Sequence, residues 1–337
     1  MPLDDIQKHI DRLQQELEDR SLSTTIVESG ILTIIMLVTL LGNVLVCRAV
    51  YQSPRLRTIT NYSVVVLALT DISMAVFVGP FTLSVFILGK KPFSHVLCQF
   101  QAYAAIALVY NSIFTVTFMS VNRYLKIVIG DHLYRKVFTH KRTVLMLFAE
   151  LILGWVIPTF SLLTGREFHY HPGKMVCTMK NDPKRQSVFA RSIMHGFIFF
   201  LPYCITIFCY CSIYIKVRSH NKRIANAAPS TTNNTTTTTI NRKDINITKT
   251  LFAIFLVFTF CTMQLGVISY CETHIGEYKL PRQVYVLYTL MCSLASAVNP
   301  FIYGLFSPAF RSELKRSLCL TCLTNRGEAG NVIENKS

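Results

Sequence analysis

One carboxylate, Asp71, interrupts an apolar run that extends from about residue 60 to 88. An ionised acid inside hydrocarbon is costly, so it stands as a site in its own right: it can hold a cation, share a proton or tie helices together. A second pattern, Asn299-Pro300-Phe301-Ile302-Tyr303, sets a proline within another apolar run, with an amide beside the break and a phenol one turn on. Pro300 has no N–H to give the helix, and that gap is a built-in flexure. A third, Asn122-Arg123-Tyr124, places a cation at the end of an apolar stretch. Glu150, about one turn before Trp155, is another acid on an apolar span and is expected to snorkel, stay protonated or bond a hydroxyl of a neighbouring helix. These are elements for binding and movement. The histidines and cysteines are scattered and there is no glycine-rich phosphate loop, so neither an enzyme nor a covalent cofactor is expected.

The elements that must position these groups are long apolar helices. The chain has 337 residues, 51% hydrophobic and 15% charged, against about 25% charged in soluble domains. Stretches near 26–50, 60–88, 96–121, 143–165, 190–216, 248–272 and 283–305 are each long enough to cross a bilayer, which takes roughly 20 residues as a closed helix. Seven core helices of a soluble protein would show polar stripes, and the runs Ile193–Ile215 and Leu251–Val267 show none. The expected fold is an all-α membrane protein, a seven-helix transmembrane bundle.

The net charge of +16 does not point to nucleic acid, because the basic residues gather at the ends of alternate spans. Arg48, Arg55 and Arg57 follow the first span, and Lys126, Arg135, Lys136, Lys141 and Arg142 the third. Lys216, Arg218, Lys222, Arg223, Arg242 and Lys243 separate the fifth from the sixth, and Arg311, Lys315 and Arg316 follow the seventh. By the positive-inside rule these segments are cytoplasmic and the acidic N-terminal tail is extracellular, although the 166–189 loop is basic too. This divides the chain into a tail (1–25), a bundle (26–306, with a low-complexity threonine-rich inner loop at 219–243) and a basic amphipathic helix with a cytoplasmic tail (307–337). Residues 1–25 show no cleavable signal peptide, so the first span is expected to direct insertion. Ile6, Ile10, Leu13 and Leu17 recur at helical spacing, which fits either a solvated tail or a lid resting on the outer loops. Cys319 and Cys322, after the basic segment, stand where reversible palmitoylation occurs.

With Asn122-Arg123-Tyr124, Asn299-Pro300-Phe301-Ile302-Tyr303, Trp155 and Asp71 in their respective spans, the chain resembles a rhodopsin-like G-protein-coupled receptor from the first span to the helix after the seventh. The resemblance implies signalling to a heterotrimeric G protein at the plasma membrane, with arrestin and receptor kinases as further partners. It implies a Cys98–Cys177 disulfide. It implies that Asn43, Ser112, Ser296 and Asn299 surround Asp71, an oxygen-lined set suited to sodium or a shared proton. It implies a packing switch of Pro202, Ile113 and Phe258, and an activation switch in which Arg123 is released while Tyr210 and Tyr303 move toward it. The usual acid before the arginine is Asn122 here, so the inner restraint expected is Arg123–Asp244. The usual Cys-Trp-x-Pro of the sixth span reads Cys261-Thr262-Met263-Gln264, which removes a kink and the floor of the pocket. These departures motivate an expectation of high basal activity.

The pocket is defined partly by exclusion. Ala105 stands where amine receptors carry an aspartate, and Ser293 where visual pigments carry the retinal lysine. Asn-Arg-Tyr also occurs in melatonin-type receptors, and Tyr170–Cys177 loosely resembles the opsin outer loop. The lining expected is Ala105, Ile106, Val109, His195, Thr262, Leu265, Ser269, Tyr285, Tyr288 and Thr289, mostly apolar with a few hydroxyls. That suits a small apolar ligand, whereas the rim of Arg166, Lys174, Lys180, Lys184 and Arg185 suits an anionic one. The rival class is a seven-span transporter or channel, which would show inverted repeats or a polar path through the bundle.

Overall fold

The computed structural model describes residues 3–163, 167–180, 200–226 and 242–316. The first span is Leu22–Gln52, started by Ser21, whose hydroxyl accepts from the Thr24 N–H. The second begins at Thr58, the third at Ser94, and each hydroxyl again accepts from the N–H three residues on. These caps satisfy donors that the helix leaves open. The second span is not one helix. It runs Ile59–Phe77, breaks at Val78, and resumes as Gly79–Leu88, because Pro80 cannot donate to the turn before it. The first span packs at the break, where a Cβ on Gly79 would lie 2.4 Å from the Met36 methyl carbon. Gly89, with φ of 68°, ends this half-helix in the left-handed region.

The third span, His95–Tyr124, is the most buried and packs against the second, fourth, fifth and sixth. A single π-turn at Leu125–Ile129 and the short helix Asp131–Val137 lead to the fourth span, His140–Leu163. The described part of the fifth span is Leu201–Asn226; the sixth is Arg242–Ile275 and the seventh Arg282–Phe306, with Pro300 inside it. Gly42 lets the first span reach that break, since a Cβ there would come within 2.8 Å of the Pro300 ring. A further helix at 308–316 folds back so that Phe310 stacks on Tyr303 at 5.3 Å. Its basic residues Arg311 and Arg316 stay exposed. Leu37, Leu41, Ile152, Phe208, Phe260 and Phe301 project from the outside of the bundle, a surface that only lipid would cover.

Outside the bundle, Phe168–His171 (β1) and Val176–Met179 (β2) form an antiparallel hairpin, with Phe168 opposite Met179 and His171 opposite Val176. The Cys98–Cys177 disulfide pins it to the start of the third span. The tail is a helix, Leu3–Glu18, whose Leu13 and Leu17 are fully buried. Of the two readings of its periodicity, the packed one describes the structure.

Candidate functional site

Gln101, on the third span, holds the hairpin from below. Its Nε2 donates to Thr82 Oγ1 at 3.0 Å and its Oε1 accepts from the Cys177 N–H at 3.2 Å. The tip of the hairpin, His171-Pro172-Gly173-Lys174-Met175, then dips into the bundle. Met175 is buried with φ of 55°, and Gly173 faces Tyr285 so closely that a Cβ would lie 2.4 Å from the ring. Lys174 is not a rim charge. It is buried, and its Nζ lies 2.6 Å from Glu272 on the sixth span, while its carbonyl accepts from Thr289 Oγ1 at 2.6 Å. His171 lies on the other side of Glu272, Nε2 to Oε1 at 3.3 Å. The Lys174 N–H donates to His171 Nδ1 at 3.2 Å, which requires a lone pair there and therefore a neutral ring. Burial, with the Lys174 charge adding to it, holds the His171 pKa down at about 4.

Beneath this roof lies a cavity of about 420 Å³. Of the expected lining residues, Ala105, Ile106, Val109, Leu265, Ser269, Tyr288 and Thr289 line it. Two do not. Tyr285 lies higher, fully buried against Leu13 and the loop tip. Thr262 is turned into the helix packing, donating to the Phe258 carbonyl at 2.7 Å and hydrogen-bonding Tyr203 of the fifth span. His195, Arg166, Lys184 and Arg185 fall outside the described residues, and Lys180 is exposed. The basic rim is therefore corrected at Lys174, whose charge is neutralised by Glu272. Glu272, His171 and Gln101 were not singled out from the sequence. An acid near the outer end of the sixth span and an amide in the third were visible signals for two of them.

The cavity continues down past Ser293 to Ser296. There Asn299 Nδ2 donates to Asp71 Oδ2 at 2.8 Å, and Asn43 Nδ2 donates to the Ser296 carbonyl at 3.1 Å. Ser112 Oγ gives its proton to the Leu108 carbonyl. Asn43 Oδ1 is buried with no hydrogen-bond partner among the described residues. A carboxylate with a spare amide oxygen and hydroxyl oxygens is a donor set that fits a small hard cation. Glu150 bonds the Thr115 hydroxyl of the third span, one of the alternatives expected for it.

At the inner end, Arg123 is buried and donates to Thr60 Oγ1, which in turn donates to Asn122 Oδ1 at 3.2 Å. Tyr124 packs on Phe208, and Tyr210 stacks on Phe255 at 5.6 Å. Ile113 and Phe258 share the main core cluster, and the Pro202 carbonyl accepts from Thr206. The Asp244 side chain, Cys319 and Cys322 lie outside the described residues.

The family model described as "7 transmembrane receptor (rhodopsin family)" matches residues 42–303. The chain belongs to the rhodopsin family of seven-transmembrane receptors. It is thus a G-protein-coupled receptor, and members of this family are as a rule signalling receptors and not enzymes. It is 28% identical over 292 residues to the melatonin receptor type 1A of Phodopus sungorus, covering 86% of this chain and 79% of that one. It is likewise 28% identical to the melatonin receptor type 1C of Gallus gallus, covering 87% and 82%. In fold it is similar to the crystal structure of squid rhodopsin, with a TM-score of 0.75 at 18% identity over 92% of this chain and 89% of the other. The transporter alternative is not favoured.

Proposed function

We propose that the chain is a plasma-membrane receptor with its tail outside, switched by a small, uncharged, lipophilic ligand seated in the roofed cavity. The observation that carries this reading is the cavity itself. Its volume of about 420 Å³ falls in the range of small-molecule sites. The lining charges Lys174 and Glu272 neutralise each other at 2.6 Å, so a charged ligand would find no free counter-ion there. Tyr288, Ser269 and Ser293 supply the hydrogen bonds that would orient it. The likeness to melatonin receptors supports melatonin as the first compound to try. Binding shifts the bundle between two states, and Arg123, Tyr210 and Tyr303 carry the change to the G protein at the inner face. A sodium ion at Asp71, held with Asn43, Ser112, Ser296 and Asn299, favours the resting state. Receptor kinases and arrestin act on the threonine-rich inner loop and tail, and acyl chains on Cys319 and Cys322 hold the tail at the inner leaflet.

A second reading, high ligand-free activity, is favoured by one observation: the neighbour of Arg123 is an amide, and its oxygen is engaged by Thr60. Asn122 therefore contributes no charge to restrain the guanidinium, a contact that is strongest when both partners are ionised.

The test is coupling to a panel of G proteins in cells at matched surface expression, for wild type, Arg123→Ala and Ala105→Phe. A response to melatonin or another small neutral compound, abolished by either substitution, is the expected result. A compound response untouched by Ala105→Phe would sink the cavity assignment. Signal without ligand, lost only in Arg123→Ala, would establish the second reading.

A further inference from the structure

Above the roof sits a second layer, the tail helix Leu3–Glu18. Leu13 packs on Ile268, Tyr278 and Tyr285, while Leu17 packs on Phe86, Met175 and Val286. Polar contacts flank both anchors. Arg12 Nη2 donates to the Tyr278 carbonyl at 3.0 Å and Gln14 Nε2 to the Gly89 carbonyl at 3.0 Å. The helix thus straddles the mouth, touching the loop between the second and third spans on one side and that between the sixth and seventh on the other. At its end, Arg20 donates to the Phe86 carbonyl and pairs with Glu28 at 2.8 Å, and Glu28 also pairs with Arg282 at 2.8 Å.

A helix of 16 residues is marginal in water by itself, so its order depends on docking. Only residues 19–21 separate it from the first span, and so short a link gives a tethered segment a high effective concentration. Weak intrinsic affinity then suffices to keep it bound. Residues 1–20 carry six acidic and three basic side chains, while the outer loops carry Lys90, Lys91, Lys180 and Lys279, an opposite balance of charge. An amphipathic helix with apolar anchors four residues apart, laid in an apolar groove, is a common mode of peptide recognition.

We propose that this outer vestibule is a second binding site, distinct from the cavity below, that recognises an acidic amphipathic helical peptide and is filled in the resting protein by residues 3–18 as a ligand carried in cis. The proposal leans on the receptor reading only for its effect on signalling; the binding stands apart.

The experiment uses the receptor in lipid nanodiscs and a fluorescent synthetic peptide of residues 1–20 as the probe. Two receptors with an emptied site are compared with the intact chain: one lacking residues 3–19, and one of full length carrying Leu13→Asp and Leu17→Asp. The peptide should bind both saturably and at least tenfold more tightly than it binds the intact chain. A peptide with Leu13→Asp and Leu17→Asp should not bind. Equal binding to intact and emptied receptors, or no binding to an emptied receptor that still unfolds cooperatively on heating, would overturn the proposal. Loss of G-protein coupling in every version, with peptide binding preserved, would instead count against the receptor reading.

Discussion

The outer mouth and the inner face of this bundle differ in the charge placed beside their buried cations. At the mouth, ionised groups are paired inside protein: Lys174 with Glu272 at 2.6 Å, and Glu28 with both Arg20 and Arg282 at 2.8 Å. A disulfide and a helical cap add to them. At the inner face, Arg123 donates to the Thr60 hydroxyl beside a neutral Asn122. Buried polar atoms without a hydrogen-bond partner among the described residues occur at both ends, the Tyr303 hydroxyl and Ser63 Oγ inside and the Tyr170 hydroxyl and His169 Nδ1 outside. Buried charge pairs are costly to break once formed, so those at the mouth resist its opening. The mouth is thus held by ionised pairs, while the residue beside the inner arginine is neutral.

The largest effect should come from breaking the outer lock. Glu272→Gln leaves Lys174 buried without an anion and should cost about 3–5 kcal/mol, read as a fall in the thermal unfolding midpoint. Replacing both residues by methionine should recover most of that loss; if the double variant is no better than the single, the pair is not the lock. Acidification comes next. His171 is held neutral, its pKa lowered from 6.5 to about 4, so between those values the unfolded chain binds more protons than the folded one. Stability is then complete above about pH 6.5 and falls as the pH drops toward 4, by up to about 3 kcal/mol at roughly 1.4 kcal/mol per pH unit. Unfolding followed across this window should show the slope in wild type and a flatter one in His171→Asn. Gly173→Leu, whose Cβ would sit 2.4 Å from the Tyr285 ring, should cost about 1–3 kcal/mol by overpacking. An unchanged melting temperature would mean the loop tip is loose. The smallest effect is expected inside. Asn122→Asp places a carboxylate beside the buried Arg123 and should lower ligand-free signalling by about fivefold, equivalent to about 1 kcal/mol once the desolvation of the acid offsets most of the Coulomb gain. A rise in basal signal would reverse the contrast between the two faces.

The spans and most of the cavity wall were legible because hydrophobic length and helical phase are local properties. Ala105, Ile106, Val109 and Leu265 recur on the inward faces of their helices and line the cavity as expected. The break in the second span was present as Gly79-Pro80 but hidden by continuous hydropathy on both sides. Lys174 was misread as a rim charge. A lysine in a loop is exposed by default, and only the hairpin, whose tip enters the bundle, brings it to Glu272, 98 residues further on. Tyr285 was expected in the cavity wall, yet its ring is taken by the loop tip and Leu13.

By itself, the sequence determined that this chain crosses the membrane as a helical bundle, which end of each span faces the basic side, and that Asp71, Arg123 and Pro300 interrupt or end apolar spans. Those features follow from transfer free energies and the covalent limits of proline, which need no partner. The tertiary structure alone decided which charges are neutralised, which tyrosine lines the cavity, and that the tail is a docked helix and not a solvated one. Each depends on groups far apart in the chain meeting in a low-dielectric interior, where a contact of a few ångströms reverses the meaning of a residue.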